Sequence, residues 1–298
     1  MSSRAGVGPA AAGLSPDQPT GEVPRPADLP GQESLAAGIP NIARIYDALL
    51  GGKDNYATDR EAALALTTAI PDAARAASDN RAFLRRAVRY LAAEAGIAQF
   101  LDVGTGLPTQ GNVHEIAQEA NPDARVVYVD NDPLVVAYGQ ALLAKTPGAL
   151  VVEGDARYPR ELITRREVRE VLDFTQPVAV LLVAVLHFVG DSESPWQAVR
   201  AITSRIAPGS YLVISHVTGD QISAEAVSKA RDIYAGAYVQ GTARSRSEIA
   251  RFFDGLDLIP PGLADVAAWG SGRRAGAARP ALFWAGIGRK PGTGDGFR

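Results

Sequence analysis

The chain has 298 residues, of which 46% are hydrophobic and 21% are charged, and its net charge is −3. This length is enough to bury a large core, either in one α/β domain or in two small ones. The slightly acidic balance gives no sign of a nucleic-acid-binding surface, so no nucleic acid partner is expected. The chain contains no cysteine, which excludes disulfides, thiolate metal ligands and cysteine nucleophiles.

The sequence shows neither a targeting segment nor a metal-ligand pattern. Its first residues lack a basic segment followed by an apolar core, and the longest apolar run, 178–189, is too short to span a membrane. The three histidines, His114, His187 and His216, lack a ligand spacing such as H-x-x-x-H. We therefore expect a cytoplasmic protein without a metal site and without a membrane partner.

Composition and periodicity divide the chain into four regions. Residues 1–38 are rich in Ala, Gly, Pro and Ser and predict a disordered leader, and 291–298 predict a loose tail. Residues 39–96 carry apolar residues at helical spacing and predict an N-terminal helical lid. Residues 97–290 alternate between strand and helix patterns and predict an α/β domain. The predicted lid helices cover 41–50, 58–70 and 72–96.

Two polar features of the lid have alternative interpretations. Residues 51–56 (GGKDNY) connect the first two helices and fit either an ordinary connection or a functional loop. The residues alone favour the ordinary connection. The arginines of the third helix, Arg81, Arg85, Arg86 and Arg89, are interpreted as a solvated face rather than an anion site.

Residues 97–130 predict a strand, a glycine turn, a helix and a second strand. Such a unit joins two parallel strands through a right-handed crossover. In an open parallel sheet the ligand crevice lies at the carboxyl ends of the strands. The glycine turn and Asp130 both fall there. The parts of this unit are the apolar run 97–103, the turn Gly104-Thr105-Gly106, the helix 112–120 and the strand 125–130, which ends on Asp130.

This arrangement favours a nucleoside-type ligand. Glycines at 104 and 106 let the backbone turn sharply and approach a ligand closely, and Asp130 is placed to accept both hydroxyls of a ribose. A dinucleotide fingerprint needs a third glycine, but Thr109 occupies that position after Pro108. The case for a bound pyrophosphate is therefore weaker. A tight turn without a ligand is the open alternative.

Three further residues follow predicted strands. Asp155 either accepts a hydrogen bond from an exocyclic amine or acts as a turn or capping residue. His187 follows the apolar run 177–185, which predicts a central strand buried on both faces, and it has either a site role or a structural role. His216 follows the strand 210–215. The remaining predicted elements are a strand over 150–153, helices over 133–145, 159–172, 194–206 and 221–238, a helix after the capping box at Ser245, and strands over 256–259 and 282–287.

The order of seven predicted strands and their helices resembles the class I S-adenosylmethionine-dependent methyltransferase fold. That fold is a Rossmann-like seven-stranded α/β sheet with helices on both faces and an antiparallel last strand. The strings NIARIYDALLGGKDNYATDREA, AQFLDVGTGLPTQGNVHEIAQ, VVYVDNDP, PVAVLLVAVLHFV and RSRSEIARFFDGLDLIPPGL resemble the bacterial S-adenosyl methyltransferase family, long catalogued as a domain of unknown function. The resemblance covers about 38–290 and implies S-adenosyl-L-methionine as the cofactor.

The resemblance also implies roles for individual residues, and it makes the 51–56 loop a functional part of the lid. The implied cofactor-binding residues are Tyr46, Gly52, Lys53, Asn55 and Tyr56 from the lid, Asp102, Gly104, Thr105 and Gly106 at the glycine turn, Asp130 and Asn131 at the ribose and adenine, Asp155 and Ala156 at the adenine edge, and Ala184, Leu186 and His187 beyond the methyl group.

The implied activity is in-line methyl transfer to a small-molecule acceptor under a lid that excludes water. If the acceptor must lose a proton, His187 is the first candidate for the general base and His216 the second. The absence of an Asn-Pro-Pro-Tyr or Asp-Pro-Pro-Tyr string argues against amino methylation of DNA bases. Two alternatives stay open, which are a nucleotide-dependent oxidoreductase on a related sheet and a non-catalytic protein that binds S-adenosylmethionine.

Overall fold

The computed structural model describes residues 38–108, 111–143, 145–272 and 280–292. Of the predicted leader, only Gly38 lies within the described residues. Thr109 of the glycine turn and most of the tail predicted over 291–298 lie outside them.

The described residues form one mixed β-sheet. Its strands are β1 (Gln99–Val103), β2 (Arg125–Asp130), β3 (Ala149–Glu153), β4 (Ala179–Val183), β5 (Tyr211–Val217), β6 (Asp257–Leu258), β7 (Ala264–Asp265) and β8 (Phe283–Arg289). The order across the sheet is β3-β2-β1-β4-β5-β8-β6, and β7 also pairs with β8. Strands β1 to β5 run parallel, whereas β8 is antiparallel to β5.

The predicted α/β fold is confirmed, with one strand more than the seven that the sequence predicts. The additional strand, β7, has two residues, which are too few to show an alternating pattern.

Successive residues of the central strands point to opposite faces of the sheet. Phe100 and Leu181 therefore join one apolar layer, whereas Leu101 and Val180 join the layer on the other side. Burial on both faces explains why these strands are apolar throughout.

Helices cover both faces of the sheet. They are α1 (Ile42–Leu49), α2 (Ala57–Ala69), α3 (Ala73–Arg89), α4 (Val113–Ala120), α5 (Pro133–Leu143), α6 (Pro159–Thr164), α7 (Arg166–Val171), α8 (Pro195–Thr203), α9 (Ala224–Ala235) and α10 (Arg246–Ala250). Within the described ranges, no helix is long and apolar enough to cross a membrane.

The capping box predicted at Ser245 is present, because the Ser245 hydroxyl accepts from the amide of Glu248 and the Glu248 carboxylate accepts from the amide of Ser245.

Three predicted elements differ from the structure. The helix predicted over 159–172 is two helices, because the backbone of Arg165 is extended at ψ 136°. The long helix of the lid leaves α geometry after Arg89 and continues as a π turn over Tyr90–Glu94. Strand β5 runs beyond the predicted end at 215, because β8 pairs with it along its whole length. His216 therefore lies inside a strand and not after it.

The lid is held together by polar groups buried between its first two helices. Arg44 of α1 and Asp59 of α2 form an ion pair at 2.7 Å, and both side chains are almost fully buried. The Asp59 carboxylate also accepts from the backbone amides of Asn41, at 2.9 Å, and Tyr56, at 2.8 Å. The side-chain amide of Asn41 donates to Asp132, which directly precedes α5. The bond between Asn41 and Asp132 places the start of α1 beside the carboxyl end of β2.

Candidate functional site

A cavity of about 1110 Å³ lies between the lid and the carboxyl ends of the central strands. The predicted site residues that line it are Tyr46, Gly104, Thr105, Gly106, Asp130, Asn131, Asp155, Ala156, Ala184 and His187. The predicted site residues that lie outside its lining are Gly52, Lys53, Asn55, Tyr56, Asp102, Leu186 and His216. The tertiary structure therefore brings the strand-end residues together at one cavity, and no residue of the 51–56 loop lines it.

The glycine turn after β1 adopts a conformation that requires glycine. Gly104 and Gly106 have φ values of +73° and +67°, which residues with a side chain rarely adopt. A Cβ on Gly104 would also overlap the side chain of Val185. The amides of Gly104 and Thr105 both donate to the carbonyl of Val129, at 2.8 and 3.2 Å. The turn is thus tied to the end of β2, next to Asp130.

Asp102 stabilises the glycine turn through a hydrogen bond with Thr105. It is buried within β1 and accepts a hydrogen bond of 3.1 Å from the hydroxyl of Thr105. Burial raises the pKa of Asp102 to about 6, although the hydrogen bond from Thr105 opposes the shift. Through Thr105, Asp102 acts on the shape of the cavity without lining it.

Asp130 occupies the end of β2 with its carboxylate held in a fixed position. Its two oxygens accept from the backbone amides of Gly106, at 2.9 Å, and Asp132, at 3.0 Å. Burial raises the pKa of Asp130 to about 6, against the effect of these two hydrogen bonds. A carboxylate has about four acceptor positions, so two remain for hydroxyl groups of a ligand in the cavity.

Asp155 has a partner that the sequence did not indicate. Its carboxylate accepts from the Nε of Arg157 at 2.9 and 3.0 Å, and the Nη1 of Arg157 also contacts Glu193 at 2.7 Å. Hydrogen bonds and charges from these two carboxylates raise the pKa of Arg157. Arg157 thereby links the end of β3 to the turn after β4. Asp155 also acts as a turn residue, which was the alternative interpretation, because its carboxylate accepts from the backbone amide of Arg157 at 2.8 Å.

Tyr46 of the lid belongs to a hydrogen-bonded chain that reaches the end of β4. Its hydroxyl accepts from Asn80 at 3.0 Å, and the Asn80 carbonyl oxygen accepts from Ser215 at 2.6 Å. The Ser215 hydroxyl accepts from the amide of Ala184 at 3.0 Å. This bond helps to hold Ala184 at a φ of 57°, an unusual value for a residue with a side chain. The chain therefore couples lid, α3 and β5 at the cavity wall.

Two polar residues of α3 that the sequence interpretation did not assign to the site line the cavity. Asn80 is buried on the apolar face of the helix, and a lone amide among apolar residues at helical spacing is the signal that could have found it. Arg81 also lines the cavity. The interpretation of the arginines as a solvated face is wrong for Arg86, because its guanidinium donates to the carbonyls of Trp269 and Val266.

The 51–56 loop is organised around the buried carboxylate of Asp47. This carboxylate accepts from the amide of Asp54 at 2.9 Å and from the side chain of Asn55 at 2.8 Å. Asp47 lines the cavity. The loop therefore acts on the cavity through Asp47, while Lys53 is exposed.

We expect Gly52→Ala to lower the free energy of unfolding by about 3 kcal/mol, because the new Cβ would overlap the Asp47 carboxylate and break its buried hydrogen bonds. Urea denaturation followed by circular dichroism measures this loss. Gly51→Ala is the matched control. Gly51 has a φ of +74° and no atom within 4 Å of an added Cβ, so backbone strain alone costs about 1 kcal/mol. Equal losses in the two variants would contradict the packing role of Gly52.

The two predicted base candidates differ in their access to the cavity. His187 lines it, and burial, His216 and Arg244 together lower the pKa of His187 well below 6.5. His216 does not line the cavity and lies behind His187, with 5.6 Å between the centroids of the two imidazole rings. The Nε2 of His216 lies 2.7 Å from the guanidinium of Arg244, and its Nδ1 lies 2.7 Å from the carbonyl of Val217. Burial lowers the pKa of His216 to about 3. Both His216 nitrogens thus have protein partners.

The sheet order and the site together define the class of protein. A parallel sheet with an antiparallel long strand beside β5, and a cavity at its carboxyl edge, has the architecture of a class I methyltransferase. Residues 29–291 match the model of the S-adenosyl methyltransferase family.

Two crystal structures are similar to this chain over most of its length. A proposed methyltransferase from Thermobifida fusca is 43% identical, with 85% of this chain and 96% of that chain covered and a TM-score of 0.80. A DUF574 family protein from Streptomyces avermitilis is 39% identical, with 85% and 98% covered and a TM-score of 0.79. No curated protein matches the chain.

The chain therefore belongs to the S-adenosyl methyltransferase family, and S-adenosylmethionine is its cofactor. This result confirms the family resemblance and favours a methyltransferase over a nucleotide-dependent oxidoreductase.

Proposed function

We propose that this protein transfers a methyl group from S-adenosylmethionine to a small-molecule acceptor that binds in the same cavity. The observation that carries the proposal is the cavity itself, which has a glycine turn and two carboxylates at the ends of β1 to β3 and apolar side chains beyond the end of β4. Pockets for one small ligand measure about 300–1,000 Å³. A volume of about 1110 Å³ lies above the upper end of this range, which supports a site for an acceptor beside the cofactor.

The groups present fit the cofactor in their chemistry. The free acceptor positions of Asp130 suit the two ribose hydroxyls, and the open space beside Gly106 lets a ligand approach the turn. Asp155 and Ala156 line the cavity beside Asp130 and are proposed at the adenine edge, with the Asp155 carboxylate held in place by Arg157. Arg81 adds a guanidinium that suits the carboxylate of the methionine end. We assign these residues to cofactor binding.

The cofactor supplies an electrophilic methyl group when it is bound. The work left to the protein is to orient the acceptor, to exclude water and to receive a proton where the acceptor carries one. The lid, whose first two helices the Arg44–Asp59 pair joins and which the Asn41–Asp132 contact ties to the end of the sheet, lines the cavity. His187 lines the cavity and is the group that we propose to receive the proton. His216 is proposed to act through His187, because it contacts that ring and not the cavity.

Isothermal titration with S-adenosylhomocysteine tests the cofactor assignment. We expect one molecule to bind per chain, and we expect NAD and NADP to give no heat under the same conditions. Turnover of a labelled methyl group over a panel of acceptors then separates an enzyme from a non-catalytic binding protein. No binding of S-adenosylhomocysteine at high protein concentration would overturn the proposal.

We expect the affinity for S-adenosylhomocysteine to fall as the pH is lowered through about 6. Burial raises the pKa of Asp130 to about 6, so below this value the free protein carries a protonated carboxyl, which is a poorer acceptor for ribose hydroxyls. The dissociation constant then rises by up to about tenfold per pH unit. Titrations between pH 5 and 8 measure this change. The amide introduced by Asp130→Asn does not titrate, so the dissociation constant of this variant should vary less with pH. If it varies with pH as in the unchanged protein, the titrating group is another one, such as Asp102.

A further inference from the structure

Beyond β4, the cavity ends in a cluster of aromatic rings, which we call the aromatic end. It consists of His187, Phe188, Tyr234 and Phe283, all of which line the cavity. The ring centroids of Phe188 and Tyr234 are 5.3 Å apart at an interplanar angle of 75°, and those of His187 and Phe283 are 5.9 Å apart at 77°. Edge-to-face rings at these distances are a favourable packing for a further aromatic ring.

The side chains around the aromatic end carry no formal charge at neutral pH. Val217, Ile222 and Leu282 line the cavity with the four aromatic residues. Burial, the neighbouring His216 and Arg244 keep the pKa of His187 well below 6.5, and burial raises the pKa of Tyr234 to about 12. Bringing a charged acceptor into such surroundings without a partner is costly. The acceptor is therefore uncharged where it contacts this end.

One buried polar group of the aromatic end has no protein partner. The Nδ1 of His187 is buried and receives no hydrogen bond from any residue that the structure describes, although the backbone of His187 is bonded to Thr242. The side chain of His187 is 6% exposed. Buried polar groups normally have a partner, so an unpartnered imidazole in a cavity wall points to a ligand that supplies one.

We propose that the methyl acceptor is an uncharged aromatic ring bearing a hydroxyl group, a phenol, that packs in the aromatic end with its hydroxyl directed at His187. This inference rests on the proposed function and names the class of its acceptor. An aliphatic amine or a carboxylate would bring a charge to this end, and an aliphatic alcohol would lack the ring. A phenol has a pKa near that of tyrosine, about 10, so its proton is more readily transferred to an imidazole than that of an alcohol.

The step is balanced as follows. The phenol oxygen forms a bond to the methyl carbon as the bond from that carbon to sulfur breaks, and the sulfur keeps the electron pair of the broken bond. The hydroxyl proton passes to a ring nitrogen of His187. The products are an aryl methyl ether, a neutral thioether and an imidazolium, which returns its proton to water when the cavity opens.

Four matched biphenyl-sized compounds test the acceptor class, each titrated by calorimetry into the full chain saturated with S-adenosylhomocysteine. They are 4-phenylphenol, biphenyl-4-carboxylate, 4-phenylbenzylammonium and 4-cyclohexylcyclohexanol. We expect the phenol to bind at least tenfold more tightly than the other three and to be methylated when S-adenosylmethionine replaces S-adenosylhomocysteine. Tighter binding of the carboxylate, the ammonium ion or the saturated alcohol would overturn the inference.

The design separates failure of the inference from failure of the proposed function. If S-adenosylhomocysteine binds but neither 4-phenylphenol nor phenol itself binds to that complex, the acceptor class is wrong and the cofactor assignment stands. If S-adenosylhomocysteine does not bind, both the proposed function and the inference fail.

Variants test the position of the hydroxyl group. His187→Gln is expected to lower turnover of 4-phenylphenol at least 100-fold, while the affinity for S-adenosylhomocysteine changes less than threefold. Tyr138→Phe, a change at a partly exposed tyrosine on α5, is the control and should leave turnover unchanged. Full turnover by His187→Gln would remove His187 from the proposed step.

Discussion

Asp130→Ala is expected to weaken the binding of S-adenosylhomocysteine about 100-fold, which corresponds to about 2.7 kcal/mol. The carboxylate lies at the carboxyl end of β2, accepts from the amides of Gly106 and Asp132, and keeps two acceptor positions for a ligand. Its removal leaves two ribose hydroxyls without acceptors in a closed cavity. It also releases the amide of Gly106, so that the glycine turn loses a constraint. Isothermal titration at pH 8, where the carboxyl of the unchanged protein is ionised, measures the effect.

A surface variant with the same change of charge controls for long-range electrostatics. Asp123→Ala alters an exposed aspartate in the turn before β2, and we expect the affinity to stay within twofold of the unchanged protein. Unfolding midpoints of both variants show whether the protein is folded at the temperature of the titration. A folded Asp130→Ala protein with unchanged affinity would refute the ribose assignment.

Arg244→Leu is expected to lower the free energy of unfolding by about 4 kcal/mol, the largest loss that we expect from a single substitution. The guanidinium is almost completely buried and donates to the carbonyls of Leu186 and Val189, at 2.9 and 2.7 Å. It also lies 2.7 Å from the Nε2 of His216 and over the ring of Trp196. A leucine leaves these buried acceptors unpaired. Because Arg244 fixes the residues on both sides of His187, the loss should extend to the cavity wall.

The ion pair between Arg244 and Asp191 contributes little to this expectation. The Asp191 side chain is 60% exposed, and ion pairs with an exposed partner are weak. Arg166→Leu is the matched control, because it removes an exposed pair with Glu170 at 2.7 Å. It should cost less than about 0.5 kcal/mol. Urea denaturation of both variants gives the comparison, and similar losses would show that the hydrogen bonds of Arg244 do not stabilise the fold.

The sequence alone identifies the strand ends at which the cavity lies. The apolar run before Gly104, the β-branched run before Asp130 and the apolar run before His187 are local patterns. These patterns can be interpreted from the alternation of side chains along a strand and from the backbone conformations that glycine can adopt, without knowledge of distant partners. Parallel strands then bring these ends together at one edge, so the position of the site follows from the order of elements. The long specific strings add the family and its cofactor.

The tertiary structure decided which side chains face the cavity and which partners they have. Asn80 and Arg81 are neighbours on a helix, and only the position of α3 in the fold places both at the cavity, where Asn80 accepts from Ser215 of β5. His216 was placed beside the cavity by its position after a predicted strand, but pairing with β8 extends that strand and buries the ring against Arg244. The ion pairs of Arg157 with Asp155 and Glu193 were likewise decided by the tertiary structure.

The physical reason is that these contacts join residues far apart in the chain. Arg244 lies 28 residues from His216, and Asn80 lies 135 residues from Ser215. A periodic pattern records which face of a helix or strand is apolar, but it carries no information about which distant polar group will lie opposite a given side chain. The sequence thus determined the fold, the cofactor and the edge of the sheet where the cavity lies, while the folded chain determined the partners of each charged group and the uncharged aromatic end.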